Sequence, residues 1–272
     1  MLISHEIPKC LFEKSLDFND YDYALVHLFD KDEEYLKFYM DCVKAGRHVL
    51  LDNSIFELGE AYDNDSFAKW VEILKPTEYI VPDALEDVEK TMKQMEEWNR
   101  TYKNIPGKKI GVVQGKTPEE IADCYMYMDQ HADVDKIAIS FDYSVYEEIV
   151  PHTNKYMSWM LGRSTMLANL LKAGVINTNK PHHLLGCGLP QEFSFYRNAN
   201  YKFLYSLDTS NPIVHGLKSI TYGSDGLWSK ESQKLHELID VDVNEIDISL
   251  VLNNIQKFRW FTNGQTPVGN IV

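Results

Sequence analysis

Arginine is scarce in this chain. Five guanidinium groups occur in 272 residues, and 27 lysines and arginines face 41 aspartates and glutamates, a formal net charge of −14. That balance excludes broad, non-specific wrapping of nucleic acid, where cationic side chains neutralise phosphate and supply much of the affinity. Any nucleic-acid role needs a local basic strip on an acidic body. Cysteine is sparse too: Cys10, Cys42, Cys124 and Cys187 lie far apart and form no CxxC pair. A structural zinc site needs clustered ligands to close its tetrahedron, so none is expected, and reduced cytosolic thiols are the simpler reading. No window approaches 18 uninterrupted apolar residues, which argues against a membrane span. The opening "MLISHEIPKCLFEK" carries charge where a signal peptide needs an apolar stretch, so a cytoplasmic protein is expected. No GxGxxG follows the first strand candidate, which weakens a dinucleotide-binding reading.

What the chain does contain is alternation. Strand candidates at 23–29, 48–51, 78–81, 109–114, 136–141, 182–186 and 202–207 are separated by helical patterns, with a weaker eighth at 218–223. Helices are expected over 32–44, 65–74 and 86–102, and Thr117 with Pro118 reads as a cap and first turn. Parallel neighbours need crossover connections, so this order implies a parallel sheet. At this length it predicts an α/β fold, a (β/α)₈ TIM barrel forming a single domain over 1–272. Residues 143–181 read as an insertion between the fifth and sixth strands, with a helix over "YMSWMLGRSTMLANLLKAG". From Ser229 onwards (229–272) two C-terminal helices are expected, the second docking through Val243, Ile246, Leu250 and Phe258.

Several strands end on a polar side chain: "HVLLDNSIFE" on Asp52, "EYIVPDALED" on Asp83, "KIGVVQGKTPEE" on Gln114 and "FLYSLDTSNPI" on Asp208. Active sites of parallel barrels lie at the C-terminal strand ends, so these groups, with Ser140, Phe141, Gly186 and Gly188, converge on one mouth. Any one such aspartate reads equally well as an N-cap or turn former. By residue type alone the set suits a hard cation. It equally suits a nucleophile and a proton carrier beside groups that read a polar heterocycle. Cys187 reads as a small pocket-lining residue and Arg163 as a phosphate candidate. His182 and His183 are adjacent on a strand and so face opposite ways.

At these residues the chain resembles the tRNA-guanine transglycosylase superfamily, barrel enzymes that exchange guanine for a 7-deazaguanine base. The family's Asp-Ser-Gly-Gly-Phe/Tyr-Gln stands here as "DNSIFE" (52–57), its "GIVQG" as "GVVQG" (111–115), and its "YLMGVGTPEDL" as "HLLGCGLPQEF" (183–193). Asp83 in "VPDALED", "IAISFDYSVYEE" for the family's "YAIGGLAVGE", and Asp208 in "SLDTSNPI" follow in the same order. The resemblance implies Asp208 as nucleophile at C1′ and Asp52 as general acid/base. It implies Asp83 and Gln114 on the purine edge, Phe56 and Leu185 on its faces, and backbone donors around Ser140 and Phe141. Gly186 and Gly188 would line the base site, with no metal and no cofactor. The chain departs from the family at Ser54, Ile55, Ser140 and Phe141, where glycines and a leucine are replaced, and it lacks the Cys-rich zinc subdomain. With the negative charge, these departures point to guanine in DNA rather than tRNA, as in phage and bacterial modification systems. The implied partners are nucleic acid, a free 7-deazaguanine base and a protein that could supply basic surface, with no membrane. For a phage-encoded chain the place is the host cytoplasm. A tRNA substrate, an N-glycosidase or nucleoside-level transferase, and a catalytically idle binding barrel stay open as alternatives.

Overall fold

The structure, a computed structural model, describes residues 1–231 and 233–264. Eight parallel strands form one sheet: β1 (Leu2–Ser4), β2 (Asp22–Leu25), β3 (Val49–Asp52), β4 (Glu78–Ile80), β5 (Lys108–Val112), β6 (Lys136–Ser140), β7 (His182–Leu185) and β8 (Leu204–Asp208). They run in the order β1-β8-β7-β6-β5-β4-β3-β2. Ten α-helices accompany them among the described residues: α1 (Phe12–Phe18), α2 (Glu33–Lys44), α3 (Ile55–Leu58), α4 (Asn64–Leu74), α5 (Val88–Thr101), α6 (Pro118–Gln130), α7 (Val145–Ile149), α8 (Lys155–Lys172), α9 (Asn211–Leu217) and α10 (Ile248–Asn263). This is the α/β (β/α)₈ TIM barrel.

The sheet closes with help from side chains at the seam between β1 and β2. Asp20 takes the Ile3 N–H through Oδ2 at 2.8 Å and gives its own N–H to the Ile3 carbonyl at 2.9 Å. Asn19 pairs His5 through its side-chain amide, Oδ1 accepting the His5 N–H at 2.7 Å and Nδ2 donating to the His5 carbonyl at 2.9 Å. Buried backbone groups must be paired, and here two turn residues pair a short strand's outer edge.

Local sequence explains the helix starts. Asp32, Asp63, Asp87 and Thr117 each accept from a backbone N–H three residues on, satisfying donors that a first turn leaves open. Lys75, left-handed at φ 54, ends α4 just before Pro76. The core is continuous and takes in Ile3, Leu50, Val113, Phe67, Trp98 and Phe258.

Three expectations change. The eighth strand is the N-terminal Leu2–Ser4, paired with Ser206–Asp208, and not 218–223. The three residues of β1 are too short to show alternation. The 218–223 segment follows α9 directly, and Tyr222 is tied to α10 through the Asn254 side chain at 3.0 Å. The 143–181 segment holds α7 and α8, the crossover between β6 and β7, which meet so closely at Gly162 that a Cβ would lie 2.4 Å from that of Tyr146. Among the described residues of the C-terminal tail only α10 is α-helical, preceded by 3₁₀ turns at Leu235–Leu238 and Val243–Glu245. It docks through Val251, Ile255, Phe258 and Phe261, while Val243 is exposed. The Phe258 ring sits 5.2 Å from Phe193 and covers the β7–β8 connection, which has only 3₁₀ turns. Residues 265–272 of the expected extension lie outside the described residues. No described helix is long and apolar enough to cross a membrane.

Candidate active site

Every stave of the barrel contributes to one cavity of about 960 Å³, counting its open mouth, at the C-terminal strand ends. Asp52, Asp83, Gln114, Ser140, Phe141, Gly186 and Asp208 line it, as the strand-end pattern predicts, and Phe56 and Leu185 line it with them. Gly188 stands just behind the wall. Its carbonyl accepts from Asn211 Nδ2 at 3.2 Å, and its α-carbon faces the Phe141 ring. Cys187 also lines the cavity, with its thiol pushed up beyond the ordinary range by burial.

One half of the mouth is a fixed polar edge. Asn53, fully buried behind the cavity wall, precedes Ser54, whose φ of 61 is a left-handed conformation that serine seldom takes. Asn53 Nδ2 donates to Asp83 Oδ1 at 2.8 Å and to the Val81 carbonyl at 3.1 Å. Gln114 Nε2 donates to Asp83 Oδ2 at 2.6 Å, and Gln114 Oε1 accepts from the Glu86 N–H at 2.8 Å. Both amide orientations are thereby set. Burial raises Asp83 to about 6, although the Gln114 and Asn53 hydrogen bonds oppose it. Each carboxylate oxygen retains a lone pair for a ligand.

The other half comes from the adjoining staves β8, β1, β2 and β3, and is acidic. Asp52 and Asp208 are buried, and Glu6 and Glu57 join them on the cavity wall. Asp52 Oδ2 accepts from the Ser54 N–H at 2.9 Å. Burial pushes Asp52 well above the usual carboxylate range, and the Glu57 and Asp208 carboxylates push it the same way. Burial likewise raises Glu6, and it raises Glu57 to about 7. Asp208 Oδ1 lies 2.8 Å from His183 Nε2, and His183 is fully buried. Desolvated like charges oppose joint ionisation, which favours the protonated forms of Asp52, Glu6 and Glu57. Among the described residues, no group of three or more His, Cys, Asp and Glu side chains could hold a metal ion.

Aromatic rings close the top. Phe56, 41% exposed, faces the buried Phe141 at 5.8 Å between centroids with a 57° tilt. Phe141 lies on Gly186, where a Cβ would come within 2.3 Å of its ring. Lys230 Nζ sits 3.8 Å from the Phe141 centroid and 5.5 Å from that of Phe56, a cation over two π faces. Lys234 Nζ donates to the carbonyls of Phe56 and Glu57 at 2.9 and 2.8 Å. Lys230 and Lys234 thus both reach the rim of the mouth.

Two expectations change here. The Ser140 N–H is donated to the Tyr143 hydroxyl at 3.2 Å, so that donor is spent within the protein. Arg163 does not reach out to phosphate. It is fully buried, donating to Glu192 at 2.6 and 3.0 Å and to the Leu185 and Gly186 carbonyls. Its work is to hold the β7 loop. Sequence reasoning missed Glu6, Asn53, Glu57, His183 and Lys230. Asn53 and Glu57 lie inside the quoted "DNSIFE" and were findable there. His183 was findable as the member of the His182–His183 pair on the barrel-interior face. Comparison with known protein families and with curated proteins found no match to this chain.

Proposed function

We propose that the mouth is a base-exchange site acting on guanine in nucleic acid, with DNA as the polymer. The observation that carries the reading is the division of the cavity: a rigid Asn53–Asp83–Gln114 edge beside a buried Asp52–Asp208 pair. A guanine ring offers N–H donors and a carbonyl to the first, and its glycosidic carbon to the second. Asp208 attacks C1′, the C1′–N9 bond breaks, and the base departs with the electron pair. Asp52, protonated because of its burial, gives its proton to the departing purine. The entering 7-deazaguanine loses its N9 proton to the Asp52 carboxylate and attacks C1′, and Asp208 leaves with the electrons of its ester bond. Two inversions give net retention. Phe56 and Leu185 supply the apolar faces. In a duplex the target nucleotide must leave the stack to reach this depth.

A second reading keeps the chemistry and removes the polymer. Four carboxylates around the mouth disfavour phosphates, so a free nucleoside is the competing substrate. Incorporation of radiolabelled guanine into duplex DNA, single-stranded DNA, tRNA and deoxyguanosine separates the cases. Label in DNA alone supports the proposal, and label in deoxyguanosine alone supports the second reading. No label in any of the four removes base exchange.

A further inference from the structure

Beneath Asp208 a chain of buried polar groups runs down through the barrel interior. His183 Nε2 lies 2.8 Å from Asp208 Oδ1, and His183 Nδ1 lies 2.8 Å from Ser206 Oγ. Ser206 Oγ accepts from Lys136 Nζ at 3.3 Å, and Lys136 is ion-paired with Glu78. Glu78 Oε2 in turn lies 3.2 Å from His48 Nε2, whose side chain is 29% exposed at the far end of the barrel. Burial raises Glu78, but the neighbouring His48 imidazole and the Lys136 charge outweigh it and bring the carboxyl down to about 2.

The bond directions around His183 follow from the Lys136 ammonium on one side and the Asp208 carboxylate on the other. A lysine ammonium only donates, so Ser206 Oγ is its acceptor. The Ser206 hydroxyl hydrogen is then free to point at His183 Nδ1, which accepts it. A neutral imidazole carries one proton, so that proton sits on Nε2 and is donated to Asp208. The opposite tautomer would set a bare Nε2 lone pair 2.8 Å from the Asp208 Oδ1 lone pairs, two acceptors face to face. An imidazolium would place a second cation beside Lys136 in a dry core, and burial drives His183 towards neutrality. Tyr23, stacked at 6.3 Å with a 10° tilt, and Tyr21, edge-on at 6.4 Å, hold the ring in plane.

We infer that Lys136, Ser206 and His183 are positioning residues that fix one imidazole tautomer, so that His183 donates to Asp208 Oδ1 and leaves Oδ2 to face the ligand. This rests on reading Asp208 as the nucleophile. The consequence is orientation: one oxygen is held by a directional bond, and the other is aimed at the reacting carbon.

The test is ¹⁵N ring spectroscopy of the full chain, with His183 assigned by loss of its signals in His183→Gln. The expected signature at neutral pH is a protonated Nε2 and a bare Nδ1. A protonated Nδ1, or two populated tautomers, overturns the inference whatever the activity. In Ser206→Ala the expected spectrum shows both tautomers. Labelled-guanine exchange should then lose about tenfold in kcat, the usual scale for removing an orienting partner, with KM for the base unchanged. An unchanged spectrum and unchanged kcat in Ser206→Ala would overturn it equally. A wild-type protein with the expected tautomer and no exchange activity removes the base-exchange reading and leaves the tautomer assignment standing.

Discussion

Gln114 Nε2 stands 2.6 Å from Asp83 Oδ2, and the Glu86 N–H holds the other end of the same amide. A buried carboxylate thereby becomes a directed acceptor. Burial has also brought its pKa to about 6, so the acceptor is lost on mild acidification. Protonation turns one oxygen into a donor facing the donors of guanine. Guanine affinity, measured by titration calorimetry, should be level above pH 7. It should fall about tenfold per unit once pH drops below about 6. A flat profile from pH 7 to 5 would take Asp83 out of base recognition.

The two buried aspartates should fail differently when each is made an amide. Asp208→Asn keeps the shape and a partner for His183 but removes the nucleophile, so exchange should drop by more than about a thousandfold while the melting temperature holds. Asp52→Asn keeps the attack and loses the proton carrier, a loss of about 10²–10⁴ in rate, with guanine still bound. Ordinary exchange in Asp208→Asn would sink the nucleophile assignment. Equal losses of base affinity in both variants would mean that neither has the chemical role given to it.

The barrel was legible because its signals are local and periodic: apolar runs for the strands, Asp32, Asp87 and Thr117 at the helix starts, and polar groups where the runs end. The missed eighth strand shows the limit of that method. Leu2–Ser4 is a strand because Ser206–Asp208 and the Asn19–Asp20 turn pair both its edges, and pairing across 200 residues leaves no local trace. The same holds within the site. Asp52, Asp83, Gln114 and Asp208 stand at strand ends and announce themselves. His183 sits one residue from His182 and is distinguished only by the face it takes. Lys230 comes from the tail, and no periodicity encodes its place at the rim of the mouth. Arg163 was misread because surface arginines are the rule, and its buried partner Glu192 lies 29 residues away.

Glu57 adds a pH dependence of its own. Burial raises its carboxyl to about 7, and Oε2 has no hydrogen-bond partner among the described residues. The folded pKa lies above the unfolded one. Its favourable contribution is therefore complete below about 4.5 and is lost as pH rises through 7. Glu57→Gln has no proton to lose. It should melt with wild type at pH 4 and a few degrees above it at pH 8.5, corresponding to about 1–2 kcal/mol. Calorimetric scans at the two pH values decide this, and an advantage confined to pH 4 would reverse the sign argued here.

Gly186 carries two constraints at once. Its φ is +64, where a side chain is strained, and a Cβ would lie 2.3 Å from Cδ1 of Phe141. Phe141 cannot yield outward without meeting Phe56, Trp159 and the Lys230 ammonium above it. Gly186→Ala should therefore cost about 1–3 kcal/mol in stability and push the ring into the cavity. Guanine affinity should fall with it. The companion variant Phe141→Leu/Gly186→Ala makes room for the new methyl. If the ring is the obstacle, the double variant recovers guanine binding while keeping the backbone strain at residue 186. Recovery of stability without recovery of binding would assign Phe141 itself to the ligand.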